Sequence, residues 1–298
     1  MIFEYAIEPD LIKKWASDTR DYAEFLNEYG LGSPRLISSF PKQKGNKLRS
    51  YLLNNGPENQ DSIASRRYTE MVEMISESVI RRDVHSSVQS TWMELLEVEN
   101  GRVPFDRVLS EQVVGVDGNV TLNAMYETDS LWRHKNQAVF SRTNMGLYSV
   151  ISNLVRFSTE TIVVVDPYGW TSDSIEFIRF LIRETSKDRP NTILPKIKLF
   201  FKKSDRSALC SHIKSEVLKG GTGGVEFNVV ELTEHDESEV FHNRCVMSEH
   251  GGIVIGHGIS IKNRALQTDE AFLMQSDIYV KKWDQFVEYT CFSVTSEA

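Results

Sequence analysis

The chain has 298 residues, of which 40% are hydrophobic and 26% charged, and its formal net charge is -8. This composition is typical of a folded globular protein and excludes the disordered and fibrous classes. The length favours two domains over one. A negatively charged molecule repels polyanions, so any contact with nucleic acid requires a local basic patch.

Targeting and redox features are absent from the sequence. No apolar run is long enough to span a membrane, and the first residues, MIFEYAIEPD, lack the pattern of a signal peptide. The three cysteines, Cys210, Cys245 and Cys291, are far apart and form no CxxC pair, which argues against disulfides and a zinc site. We therefore expect a cytoplasmic protein with reduced cysteines, no bound metal and no cofactor.

Helical spacing marks the first half of the chain. Apolar residues recur at three- and four-residue steps over 11–29 and most clearly over 61–82, and a further helix is predicted over 86–97. The sequence therefore predicts a mostly α-helical domain over residues 1–118. A connecting region is predicted over 119–160, where the periodic signal weakens.

One basic segment of this half is a candidate polyanion patch. It contains no acidic residue and five cations, Arg35, Lys42, Lys44, Lys47 and Arg49. Its prolines and glycine equally fit a solvated loop, which is the interpretation that we favour.

The period changes in the second half of the chain. Residues 161–166 form a continuous β-branched run, typical of a strand buried on both faces, and Asp173 with Glu176 has the spacing of a capping box for the next helix. Further strands are predicted over 196–201, 225–232, 240–247, 252–256 and 271–274, and further helices over 204–219 and 277–289. This alternation predicts an α/β domain over 161–298, with helices layered on a mainly parallel or mixed sheet.

Two side chains of the strand predicted over 240–247 suit a phosphate group. His242 and Arg244 are two residues apart, so on a strand they project from the same face. Arginine offers a fixed fork of donors, and histidine can donate, accept or attack phosphorus. Gly256 and Gly258 would let the backbone approach a ligand closely. The sequence therefore predicts a phosphate-handling site centred on His242 and Arg244.

Other positions near this pair have two interpretations each. Asp166 ends a buried strand, a usual place for site residues, but Asp before Pro also starts ordinary turns. His257 is either a second site histidine or a residue that stabilises its loop. Thr268 and Asp269 either orient the His-x-Arg pair or belong to a solvated loop. The glycine loop at 220–224 lacks the Lys-Ser/Thr of a phosphate-binding loop and is interpreted as a connection.

The segment that begins at His242 resembles the signature of the phospholipase D superfamily. That signature is His-x-Lys, four residues, Asp, six residues, then Gly-Ser-x-Asn. His242 matches the nucleophile, and Arg244 stands at the Lys position. Glu249 occupies the Asp position, and Gly256 falls at the expected distance. The resemblance implies a domain that handles phosphodiesters.

This segment departs from the signature at two phosphate-ligand positions, where His257 replaces Ser and Ile259 replaces Asn. The chain also contains a single copy of the motif. Superfamily enzymes use two histidines, one as nucleophile and one as general acid, so catalysis would require a second subunit, such as a homodimer partner.

A closer resemblance is to the phospholipase D-like domain at the carboxy terminus of MIT-domain proteins. It rests on the strand and turn over 162–168 and on His242-x-Arg244 with the later glycines at family spacing, and it covers nearly all of the second half. It implies a domain that binds phosphorylated surfaces without catalysis. The first half resembles instead, in FEYAIEPDLI, RLISSFPK and residues 92–105, uncharacterised bacterial proteins associated with genome-defence loci.

These observations leave three hypotheses for function. The first is an accessory or effector protein of a bacterial antiviral defence or DNA-processing complex, which engages nucleic acid or another phosphate-bearing ligand through a degenerate site. The second is a metal-independent nuclease that acts as a dimer, with His242 as nucleophile and Arg244 stabilising the transition-state charge. The third is a structural subunit. The candidate catalytic residues are His242, Arg244 and His257, and the candidate ligand-binding residues are Asp166, Gly256, Gly258 and Asp269.

Overall fold

The computed structural model describes residues 1–84, 90–127, 131–235, 239–262 and 264–298. The chain divides into two compact units. The amino-terminal unit comprises residues 2–135 and 190–192, and the carboxy-terminal unit comprises Met1 and residues 136–189 and 193–298.

After Ile2, the chain passes from the amino-terminal to the carboxy-terminal unit at Lys135 and Asn136, within the region predicted as a connection over 119–160. Residues 119–121 add a strand to the amino-terminal unit, whereas residues 137–157 form a strand and a helix of the carboxy-terminal unit. The region is therefore shared between the two units.

The amino-terminal unit combines helices with a small sheet. Its elements are β1 (Phe3–Ile7), α1 (Pro9–Ser17), α2 (Thr19–Glu28), β2 (Arg35–Ile37), α3 (Gly45–Asn54), α4 (Ile63–Glu77), α5 (Trp92–Arg102), β3 (Arg107–Ser110) and β4 (Asn119–Thr121). Within the described residues the strands form a parallel sheet in the order β2-β1-β3-β4. Helices contain most of the residues in regular secondary structure, as predicted. The sheet was not predicted, because strands of three to five residues show little periodicity.

Two helix predictions in this unit differ in their bounds from the structure. The helix predicted over 61–82 is α4, which begins after Ser62, whose hydroxyl accepts from the amide of Ser65, and ends at Glu77. The helix predicted over 86–97 corresponds to α5, capped by Thr91. Residues 86–89 of that prediction lie outside the described residues.

A buried ion network lies in the amino-terminal unit. Arg82 is fully buried and donates to the carboxylates of Glu4 at 2.9 Å and Glu99 at 2.8 Å. It also donates to the carbonyl oxygens of Val103 and Pro104. A buried guanidinium is tolerated only when its donors are paired in this way.

The basic segment does not form one free patch. Arg35 is buried in β2 and pairs with Glu28, while Arg49 forms a bidentate contact with Glu73. Two of its five cations are thus engaged by carboxylates. The favoured interpretation as a solvated loop is wrong for much of the segment, because Arg35 lies in β2 while Lys47 and Arg49 lie in α3.

The carboxy-terminal unit is a layered α/β structure. Its elements are β5 (Gln137–Arg142), α6 (Asn144–Phe157), β6 (Thr161–Val165), α7 (Ser172–Thr185), β7 (Lys196–Lys202), α8 (Cys210–Leu218), β8 (Phe227–Glu234), β9 (Cys245–Ser248), β10 (Gly251–Ile255), β11 (Arg264–Leu273), α9 (Ser276–Phe286) and β12 (Phe292–Glu297). The described strands form one sheet in the order β12-β8-β7-β6-β9-β10-β11-β5. The strands β6, β7 and β8 are parallel and the other pairings antiparallel, which confirms the predicted mixed sheet.

The strand β6 forms the centre of this sheet, as its sequence predicted. Every side chain over 162–165 is fully buried, so both faces of the strand are covered. The following helix, α7, is capped by Thr171, whose hydroxyl accepts from the amide of Ser174. The capping box predicted from Asp173 is therefore wrong by two residues, and Asp173 lies in the first turn instead.

Candidate functional site

One edge of the carboxy-terminal sheet gathers the predicted site residues. The strands β6 and β7 are parallel, so their carboxyl ends meet at this edge. The strand β9 runs antiparallel to β6, with Val165 opposite Cys245, which brings the residues just before β9 to the same place. The end of β10 is held there by the amide of Ile255, which donates to the carbonyl oxygen of Arg244 at 2.9 Å.

The His-x-Arg segment lies just outside the ladder. The predicted strand over 240–247 begins at Cys245 in the structure, so His242 and Arg244 lie in the segment that leads into β9. Both side chains nevertheless line the same cavity. His242 is exposed, and Arg244 is half-buried.

The guanidinium of Arg244 is only partly engaged by the protein. It donates from Nη1 to the carbonyl oxygen of Gly256 at 3.3 Å, and its central carbon lies 5.8 Å from the ring centre of Tyr168. Its Nε has no hydrogen-bond partner among the described residues. No carboxylate of the described chain forms an ion pair with it, so most of its donor capacity is unused.

Asp166 lies beside Arg244 and is outside the lining of the cavity. Its carboxylate accepts from the backbone amides of Tyr168 and Ile259, each at 2.8 Å, and the residue is 1% exposed. Burial raises the pKa of this carboxyl group, against the lowering effect of the two amides and of Arg244. The geometry is that of a residue that holds two loops together.

The glycine turn after β10 is packed against these side chains. Gly258 has a φ of +81°, and a Cβ atom there would lie 2.1 Å from Oδ2 of Asp166 and 2.7 Å from Cδ of Arg244. At Gly256, a Cβ atom would lie 2.6 Å from Oδ1 of Asp269. Both glycines therefore allow a close approach of the turn to Asp166, Arg244 and Asp269.

His257 projects from this turn and is oriented by Asp269. Its Nδ1 lies 2.9 Å from Oδ1 of Asp269, whose other oxygen accepts from the amide of His257. The histidine side chain is 68% exposed, whereas that of Asp269 is 4% exposed. A carboxylate at Nδ1 fixes the tautomer in which Nε2 carries a free lone pair. Asp269 thus orients His257, and among the described residues it forms no hydrogen bond or ion pair with His242 or Arg244.

Two further residues of the signature have structural roles. Glu249 lies at the far end of β9, where its carboxylate accepts from the hydroxyl of Ser158 at 2.7 Å and from the amides of Thr159 and Glu160. It therefore anchors the start of β6, away from Arg244. Ile259 is fully buried.

An open cavity of about 710 Å³ adjoins the His-x-Arg segment. Its lining is Pro167, Tyr168, Trp170, Lys202, Lys203, Ser204, Asp205, Val240, Phe241, His242 and Arg244. The sequence did not predict that Tyr168, Trp170 and the two lysines, Lys202 and Lys203, would line the site. The parallel pairing of β6 with β7 could have indicated them, because it places the residues after Phe201 beside those after Val165.

The charges around the cavity favour an anion. Lys202 pairs with Glu234 at 2.6 Å, whereas Lys203 is exposed and forms no ion pair within the described part of the chain. Asp205 is the acidic residue of the lining, against Lys202, Lys203 and Arg244. The site can therefore hold a negatively charged group by hydrogen bonds and charge.

No protein-family model and no curated protein matches the chain. Among solved structures it is similar to Nuc, a phospholipase D family member from Salmonella typhimurium, with a TM-score of 0.32 and 6% identity over 54% of this chain and 97% of that one. It is also similar to NucT from Helicobacter pylori, with a TM-score of 0.33 and 8% identity over 52% and 96%.

A third solved structure is TrmBL2, described as an archaeal chromatin protein with a novel mode of DNA binding. The TM-score is 0.28 and the identity 12%, over 56% of this chain and 55% of that one. The three likenesses concern folds alone. The chemistry of the site therefore depends on this chain's own residues.

In residues 1–84, 90–127, 131–235, 239–262 and 264–298, no helix is both long enough and apolar enough to cross a membrane. The same residues contain no group of three or more side chains arranged to hold a metal ion.

Proposed function

We propose that the carboxy-terminal unit binds the phosphate group of a phosphodiester at Arg244. The supporting observation is a guanidinium that lines an open cavity, donates one hydrogen bond to the protein and has no carboxylate partner among the described residues. Such an arginine is matched by a ligand with several acceptor oxygens, and phosphate presents them in the geometry of the fork.

The neighbours of Arg244 are consistent with this role. Asp166 would compete with a bound anion if it were free, but both of its oxygens are occupied by backbone amides. His242 and Lys203 line the same cavity and supply further donors. The resemblance of His242-x-Arg244 to the phospholipase D signature leads to the same class of ligand.

We place this binding activity in an accessory or effector protein of a bacterial defence or DNA-processing complex. That context rests on the phrases of the first half that resemble proteins of genome-defence loci. Nucleic acid is the phosphodiester that such a complex handles.

The test is the affinity of Arg244→Ala for a fluorescent single-stranded oligonucleotide and for an abasic phosphodiester oligomer of the same length. Loss of a charged hydrogen bond costs about 1.5–3 kcal/mol, so both dissociation constants should rise by roughly 10- to 100-fold. Arg183→Ala, which removes an exposed arginine of α7, is the control and should leave both unchanged. Equal affinities of wild type and Arg244→Ala would refute the proposal.

A second candidate is a metal-independent phosphodiesterase, which the His257–Asp269 pair favours. A histidine held at Nδ1 by a buried carboxylate is arranged for proton transfer at Nε2. Catalysis requires cleavage of an oligonucleotide in the presence of EDTA, lost in His242→Asn while ligand affinity is retained. Intact substrate after incubation with wild-type protein would exclude this candidate.

A further inference from the structure

The cavity beside Arg244 contains an exposed aromatic surface for which anion binding alone gives no reason. Tyr168 is 53% exposed, although it directly follows the buried Asp166-Pro167 turn. Trp170 lines the same cavity, and its Nε1 has no hydrogen-bond partner among the described residues. Two aromatic rings at the wall of one cavity offer a flat apolar surface on which another flat ring can stack.

The backbone holds Tyr168 in place independently of any ligand. Its amide donates to Oδ1 of Asp166, and its carbonyl oxygen accepts from the amide of Thr171 and the hydroxyl of Ser174. The ring is therefore carried by a turn that is fixed on both sides. A preorganised platform loses little entropy when a flat ligand stacks on it.

The position of the platform relative to Arg244 limits what the ligand can be. The guanidinium carbon lies 5.8 Å from the ring centre, so one face of Tyr168 and the anion-binding donors are close neighbours. A ligand that uses both must join a flat π-system to a phosphate within a few bonds. A nucleotide has this construction, and a phospholipid headgroup does not.

The dimensions of the cavity decide between paired and unpaired nucleic acid. A volume of about 710 Å³ lies within the range of small-molecule sites and accommodates about one nucleotide. In a duplex, each base is stacked and paired, so its face is not available to a side chain. Stacking on aromatic side chains is the usual way to hold unpaired bases.

We infer that this cavity binds single-stranded nucleic acid, with one phosphate at Arg244 and the adjoining base stacked on Tyr168. The inference rests on the proposed phosphate-binding function and specifies its ligand. Lys203, exposed at the same cavity, is placed to meet a neighbouring phosphate of the strand.

The experiment uses the full chain with three probes of nearly equal charge, which are an oligothymidylate of about 24 nucleotides, its abasic counterpart and a duplex of about 12 base pairs, which has about the same number of phosphates. Wild type should bind the oligothymidylate about 10-fold more tightly than the abasic oligomer, since stacking of one base on an aromatic side chain contributes about that factor. Anionic phosphatidylserine vesicles serve as the probe for a lipid ligand.

Two variants of Tyr168 separate stacking from folding. Tyr168→Leu keeps an apolar side chain without a ring and should weaken the oligothymidylate about 10-fold while leaving the abasic oligomer unchanged. Tyr168→Phe keeps the ring and should bind as wild type does. Circular dichroism and the unchanged abasic affinity show that the variants are folded.

The outcomes distinguish failure of base stacking from failure of phosphate binding. Equal binding of the oligothymidylate and the abasic oligomer, both weakened by Arg244→Ala, overturns base stacking and leaves phosphate binding standing. Preference for the duplex, or for the vesicles, also overturns the inference. No binding of any phosphodiester probe by wild type overturns the proposed function itself.

Discussion

His134 lies in an aromatic environment that keeps its imidazole neutral. Its ring stacks on Phe3 with centres 4.0 Å apart, and its Nε2 contacts the hydroxyl of Tyr5. Burial, assisted by the charges of Arg35 and Arg107, lowers the pKa of His134 to about 3. A proton on this ring is therefore unfavourable in the folded state.

The depressed pKa of His134 has a definite effect on stability. As the pH falls below about 6.5, the unfolded chain takes up a proton that the folded chain refuses, so stability is lost between about pH 6.5 and the folded value. The slope from this group is at most about 1.4 kcal/mol per pH unit. Urea unfolding of wild type and His134→Phe from pH 7 to 4 measures it.

His134→Phe keeps the stacking on Phe3 and removes the titration. The free energy of unfolding of wild type should therefore decrease relative to that of the variant as the pH falls. A difference between the two proteins that does not change with pH would contradict the assignment of a neutral, half-buried imidazole.

The sequence predicted which residues lie at the site, but not which groups of the protein each of them contacts. The spacing of His242 and Arg244 predicted that they share a face, because alternation is a local property of extended chain. The pairing of Asp269 with His257, and of Asp166 with backbone amides, depends on which strands lie side by side. Local periodicity contains no such information.

The turn after β10 requires glycine at position 258, and substitution there tests this requirement. Gly258→Ala combines an unfavourable φ with a methyl group that overlaps Asp166 and Arg244. Gly221 has a nearly equal φ of +77°, and a Cβ atom there meets nothing within 4 Å. We expect Gly221→Ala to cost about 1 kcal/mol of stability, and Gly258→Ala several kcal/mol.

Ligand binding separates these two variants further. Gly258→Ala moves the guanidinium of Arg244 and should weaken oligonucleotide binding, whereas Gly221→Ala should bind as wild type does. Thermal unfolding and fluorescence anisotropy measure the two effects. Comparable behaviour of the two alanine variants would show that the turn is not packed as described.

Elements with a long periodic signal were predicted well, and the misses have identifiable causes. The helix α6 was missed although Leu147, Ile151 and Leu154 follow helical spacing and Thr143 caps it, since the preceding weak region masked its start. The strand β12 and the sheet of the amino-terminal unit depend on pairing with distant strands. Such pairing overrides local propensity.

The stability of the whole molecule depends on a few buried ions. Arg82→Met leaves the buried Glu4 without a cation and leaves Glu99 with Arg102 alone, and breaking a buried ion pair in this way costs about 3–5 kcal/mol. Arg49→Met breaks an ion pair whose side chains are more than 40% exposed, and should cost less than about 1 kcal/mol. Urea unfolding monitored by tryptophan fluorescence compares the two variants.

A small loss in Arg82→Met, similar to that in Arg49→Met, would show that water reaches the carboxylates of Glu4 and Glu99. A loss of several kcal/mol is a large part of the stability of an ordinary domain. The variant should then yield less soluble protein on expression. The yield is an independent check on the burial of the network.

The three residues over 190–192 make both units discontinuous in the sequence. Asp83 donates its amide to the carbonyl oxygen of Pro190 and accepts from Thr192, and the side chain of Asn191 donates to the carbonyl oxygen of Arg81. The amino-terminal unit is completed by a segment encoded more than 50 codons after the rest of it. A gene fragment that ends at Lys135 therefore lacks part of the unit that it encodes, so recombination could not transfer either unit as a single contiguous cassette.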